Sequence, residues 1–127
     1  MNKQPQQRPV FLNLSKIHMP VMAVISIAHR LTGLLMFLSI PFVVYLMSLS
    51  LQSPQGYLDA LRYLDLPLVK LLGLVLIWSV AHHLLAGIRY ILIDFDWGVD
   101  KAMGRLTAKA VLVVAVIVAL IYGGSML

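Results

Sequence analysis

No cysteine occurs in the 127 residues. That excludes disulfides, covalently attached c-type haem and an iron–sulfur cluster held by this chain. Charge is also scarce, at 12% of residues against 61% hydrophobic, a balance foreign to ordinary soluble domains. Residues 31–51, 71–88 and 110–127 carry no Asp, Glu, Lys or Arg at all. Each run approaches the ~20 residues that a helix needs to cross ~30 Å of hydrocarbon. Repeats and low-complexity tracts are absent too. A basic stripe interleaved with aromatics is missing, so the net charge of +5 does not imply nucleic acid; the partner that the composition implies is the lipid bilayer.

The positions of the basic residues suggest a topology. Lys3, Arg8, Lys16 and Arg30 precede or open the first apolar run, and Arg89, Lys101, Arg105 and Lys109 flank the second connection. The first connection has only Arg62 and, at its edge, Lys70. The positive-inside rule then predicts a cytoplasmic N-terminus and second connection, with the C-terminus outside. Residues 1–20 are polar and lead into no small-residue cleavage site, so they are expected to be retained rather than removed as a signal peptide.

The expected fold class is therefore all-α integral membrane, one membrane-anchor domain over residues 1–127. It has a cytoplasmic segment at 1–20 and spans at 21–51, 67–95 and 105–127. Pro41 is a potential kink in the first span. The first connection carries a short amphipathic stretch, and Pro67 suits the opening turn of the second span. Asp94, Asp96, Trp97, Gly98 and Asp100 form a polar turn with an interfacial tryptophan. The third span reads as packing surface. Three helices enclose little space, so partner helices in a larger bundle are expected.

Chemistry concentrates on the second span, in His82-His83-Leu84-Leu85-Ala86-Gly87-Ile88-Arg89-Tyr90. At ~100° per residue His83 and Gly87 share a face, one turn apart. A flat macrocycle needs an imidazole for its iron and a low surface beside it, which a glycine supplies, and haem b meets that description. The alternative is a hydrogen-bonding histidine beside a close-packing glycine. His82 is a rival ligand, turned ~100° away towards the side of Arg89. Near the cytoplasmic end, Ser26, His29 and Arg30 gather at the depth of Arg89 and Asp94, and intramembrane ionisable groups are costly unless paired or functional. Arg30, one turn from a hydroxyl, suits a haem propionate or a quinone carbonyl. Topological snorkelling is the other reading of Arg30, and of Arg89.

Arg8-Pro9-Val10, then S-x-x-H-R-x-T-G from Ser26 to Gly33, then H-x-x-x-G-I-R-x-x-x-x-D from His83 to Asp94 together resemble the cytochrome b subunit of bacterial succinate dehydrogenase. The resemblance spans nearly the whole chain. It implies a multi-pass protein of the bacterial inner membrane that binds one haem b jointly with a second small membrane anchor subunit and docks an iron–sulfur subunit and a flavoprotein subunit. Ubiquinone or a related quinone is the implied oxidant. By position, His83 is the implied axial ligand from this chain, with the second from the partner. Ser26 and Arg30 would line the quinone pocket, and His29 and Arg30 would lie near the haem propionates. At Tyr90 relatives often have histidine, so a propionate contact there is not implied, although a phenol can donate a hydrogen bond.

On this reading the chain supplies a binding site rather than a catalytic nucleophile, and is part of an oxidoreductase complex without being catalytic alone. A fumarate reductase anchor is the alternative within the same chemistry. A cofactor-free membrane assembly subunit is the alternative outside it.

Overall fold

The computed structural model describes residues 18–125. Arg8-Pro9-Val10 and the basic residues Lys3, Arg8 and Lys16 lie outside the described residues. Four helices follow in order: α1 Val21–Gln52, α2 Pro54–Asp65, α3 Pro67–Asp94 and α4 Lys101–Gly124. Three of them, α1, α3 and α4, are long and apolar enough to cross a membrane. At 1.5 Å per residue the 32 residues of α1 reach about 48 Å, more than the hydrocarbon thickness, so its ends extend into the interfacial layers.

The amphipathic stretch of the first connection folds as α2. Ser53 caps it, its hydroxyl accepting from the Gly56 N–H at 3.0 Å, and Pro54 occupies the first turn, where a missing N–H costs nothing. A single residue, Leu66, separates α2 from α3, because Pro67 cannot continue the ladder of α2 yet is suited to start the next helix. Pro41 is accommodated within α1, which continues through it.

α3 ends in a Schellman closure. The Trp97 N–H donates to Leu92 O and the Asp96 N–H to Ile93 O, both at 2.9 Å. Asp96 stands at φ 61° and Gly98 at φ 73°. The left-handed position thus falls on an aspartate, one of the few non-glycine residues that tolerate it.

α4 opens at Lys101 rather than at Arg105. Lys101 and Arg105 are good helix formers, and an apolar run marks only the part of a helix that lies in lipid. Its buried face is Gly104, Ala108, Val111, Ala115, Ala119 and Gly123. That seam of small residues brings the α4 backbone close to α3, the means by which helices associate in lipid. The facing stripe of α3 is Ser79, His82, Ala86 and Arg89, and Ile25 of α1 completes a small core with Ala86, Ala108 and Val111. α1 is the least covered of the three long helices: its buried residues are Ile25, Thr32 and Leu46 alone, against six along the shorter α4.

Candidate functional site

α3 directs its adjacent histidines into different surroundings. His82 lies on the stripe facing the bundle interior and is wholly buried. Its ring sits 5.5 Å from that of Trp78, and neither of its nitrogens has a hydrogen-bond partner among the described residues. His83, one residue on, is only partly buried and turns towards α1.

The contacts of His83 are specific. Its Nδ1 lies 3.0 Å from the His29 carbonyl and 3.3 Å from Thr32 Oγ1. A carbonyl oxygen can only accept, so Nδ1 carries the proton and Nε2 keeps its lone pair. That is the tautomer a metal ligand needs when its other nitrogen is anchored to the protein. The His29 ring stacks on that of His83 with centroids 4.0 Å apart and planes at 15°. Tyr90 meets His29 edge-on at 5.3 Å, and His29 Nε2 and the Tyr90 hydroxyl are buried without partners among the described residues.

Gly87 and Gly33 lie beside different rings. A Cβ at Gly87 would stand 3.7 Å from His29 Nε2, an ordinary contact. A Cβ at Gly33 would come within 2.9 Å of His83 Cε1, closer than packed atoms tolerate. The glycine that His83 requires is therefore on the opposite helix. Thr32 and Gly33 belong to the S-x-x-H-R-x-T-G motif, yet sequence reasoning assigned them no role. The signal was there, a hydroxyl and a glycine one turn beyond a histidine, but nothing in one chain says which residues of two helices face each other.

Ser26 and Arg30 lie one turn apart on α1, Ser26 on the face of Gly33, seven residues on, and Arg30 turned further outward. Ser26 is half-buried and Arg30 exposed, and among the described residues Arg30 has no ion-pair partner. The structure thus joins His29 to His83 and separates both from the outward-facing Arg30. Arg89 behaves differently from Arg30. Only 7% exposed, it donates from Nε to Thr107 Oγ1 at 3.1 Å and from Nη2 to Gly104 O at 3.2 Å. This arginine fastens α3 to α4 and does not snorkel.

Two cavities lie among other residues. An apolar groove of about 440 Å³ runs between α1 and α3 and is floored by Leu64 of α2. A smaller one of about 310 Å³ is lined by Tyr45, Asp59, Arg62 and Tyr63. Neither includes Ser26, Arg30 or His83. No group of three or more His, Cys, Asp or Glu side chains is poised for a metal ion among the described residues.

Residues 4–122 match the family model described as succinate dehydrogenase/fumarate reductase transmembrane subunit. The chain is 33% identical over 118 residues to the succinate dehydrogenase cytochrome b556 subunit of Coxiella burnetii, covering 92% of this chain and 94% of that one. It is 25% identical over 118 residues to the protein of the same name from Paracoccus denitrificans, covering 90% and 88%. With that match over residues 4–122, which takes in the three apolar helices almost entirely, the chain belongs to the succinate dehydrogenase/fumarate reductase transmembrane subunit family.

Proposed function

We propose that this chain is the haem-b-carrying membrane anchor of a succinate dehydrogenase and contributes to its quinone-reduction site. The observation that carries the reading is the state of His83, whose Nδ1–H is tied to the His29 carbonyl, leaving the Nε2 lone pair for iron. The naming of both relatives as cytochrome b556 subunits supports a b-type haem here. A porphyrin supplies four of the iron's ligands, so one histidine from this chain and one from a second small membrane subunit complete the set. Bound there, haem b offers a one-electron redox centre and a pin between the two subunits. His29, stacked on His83, is the residue of this chain beside that ligand.

The quinone site is assigned to Ser26 and Arg30. Arg30 is exposed and Ser26 half-buried, so the second subunit packing against α1 would complete the pocket. The Arg30 guanidinium can donate planar, charge-assisted hydrogen bonds to a quinone oxygen, on which negative charge grows during reduction. The quinone takes two electrons and two protons to become quinol, the electrons reaching it from succinate through a flavoprotein and an iron–sulfur subunit docked on the cytoplasmic face. The positive-inside distribution supports a position for Arg30 on that face of what would be a bacterial inner membrane.

The test is a reduced-minus-oxidised visible spectrum of the membrane-extracted complex, with succinate as the reductant. The expected result is a b-type band that appears on adding succinate. A complex that oxidises succinate but shows no b-type band even after dithionite reduction would be a cofactor-free anchor, and the reading would be abandoned.

A further inference from the structure

The fully buried Thr32 is the part of the histidine seat that the proposed function leaves without a task. Its hydroxyl lies 2.9 Å from Ala28 O and 2.9 Å from His29 O. A hydroxyl has one proton, and both of these carbonyls compete for it. Towards His83 Nδ1, at 3.3 Å, Oγ1 can therefore only accept. Nδ1–H is shared between two acceptors of α1, a carbonyl and a hydroxyl. Gly33, on the next residue, closes the seat: a Cβ there would stand 2.9 Å from Cε1 and 3.3 Å from Nδ1 of the same ring.

We propose that Thr32 and Gly33 are positioning residues for His83. Together with the His29 carbonyl they fix its tautomer and its rotation about the Cβ–Cγ bond, and so set the electron-donating strength of Nε2. The inference rests on the reading of His83 as the haem ligand and goes beyond it by assigning control of that ligand to α1.

Two acceptors on Nδ1–H increase negative charge on the imidazole, strengthen its donation to iron and favour the ferric state. Losing the hydroxyl weakens this donation without removing the ligand. A methyl group at position 33 acts through geometry instead, since it must push the ring out of its seat. The stacked His29 ring, 4.0 Å away, leaves little freedom for the ring to move in that direction.

The experiment uses the intact, membrane-extracted complex and reads the haem midpoint potential by equilibrium redox titration, the low-spin ferric EPR signal and the haem-to-protein ratio. Thr32→Val, nearly the same shape without the hydroxyl, is expected to keep haem and raise the midpoint. A tenfold loss of ferric stabilisation corresponds to about 59 mV for a one-electron couple, and the rise should fall within that bound. Thr32→Ser restores the acceptor and should return the potential to the wild-type value. Gly33→Ala should lower the haem-to-protein ratio on the order of tenfold or change the EPR signal. Should Thr32→Val fail to assemble, Thr32→Ala serves for the same titration. A wild-type complex without haem b, or a His83→Ala complex with full haem, overturns the underlying assignment. A His83-dependent haem whose potential and EPR signal are the same in wild type, the hydroxyl-free variant and Gly33→Ala overturns this inference alone.

Discussion

His82 and His83 adjoin in sequence, but ~100° of helix rotation gives one a wholly buried site against Trp78 and the other a seat on α1. The variants should separate accordingly. His83→Ala is expected to lose haem, whereas His82→Ala should keep it and lose packing, at a cost of about 1–3 kcal/mol. The haem-to-protein ratio and thermal stability of the extracted complexes distinguish the two. The arginines divide in the same way. Arg89→Met removes the links to Thr107 and Gly104 and should destabilise α3–α4 docking by about 1–2 kcal/mol, seen as a lower melting temperature with unchanged quinone affinity. Arg30→Lys should assemble normally, because both side chains reach the interface. If the guanidinium makes planar contacts to quinone, lysine is inadequate. The ratio of quinone-dependent to artificial-acceptor activity should then fall on the order of tenfold, or ~1.4 kcal/mol of transition-state stabilisation. An unchanged ratio would make Arg30 a topology residue.

α4 has almost no reactive side chains, and its role is read from its seam. Ala115 is wholly buried and Ala119 is 5% exposed, so a larger side chain there must separate α3 from α4. Ala115→Leu is expected to overpack the seam by about 1–3 kcal/mol and to reduce the amount of assembled complex extracted from membranes. The neighbouring exposed position offers a control, since Val116→Leu faces outward and should have no effect. At the other end of α3, Asp96 occupies a left-handed conformation at φ 61°. Asp96→Gly should hold or raise the melting temperature, while Asp96→Val should lower it, because a β-branched residue pays about 1–2 kcal/mol in that region.

Across the molecule, the three long helices differ in how far they are satisfied internally. α4 is buried against α3 along its small-residue seam, and α1 leaves most of its surface uncovered, including the side that carries Arg30. On the proposed function, the second membrane subunit packs its helices on this side of α1. Orientation is the matching expectation at this scale. A reporter fused after Leu127 should report the periplasm and one inserted near Asp100 the cytoplasm, as three spans and the Lys/Arg distribution require. The reverse result would place Ser26 and Arg30 on the side away from the proposed soluble subunits.

Composition and charge-free runs were enough to establish three apolar helices, because the bilayer admits backbone only when its polar groups are bonded within the segment. The motifs containing His29, His83 and Gly87 were enough to point to the family, since the residues of one helical turn can be counted directly from sequence spacing. Which helix faces which is not written in any one segment. That Gly33 of α1 makes room for His83, that Thr32 and the His29 carbonyl hold its Nδ1, and that Arg89 is a fastening while Arg30 is exposed all depend on the rotation and depth at which α1, α3 and α4 pack. Those are set by close contact between small residues on separate helices, a property of their pairing that only the tertiary structure decides.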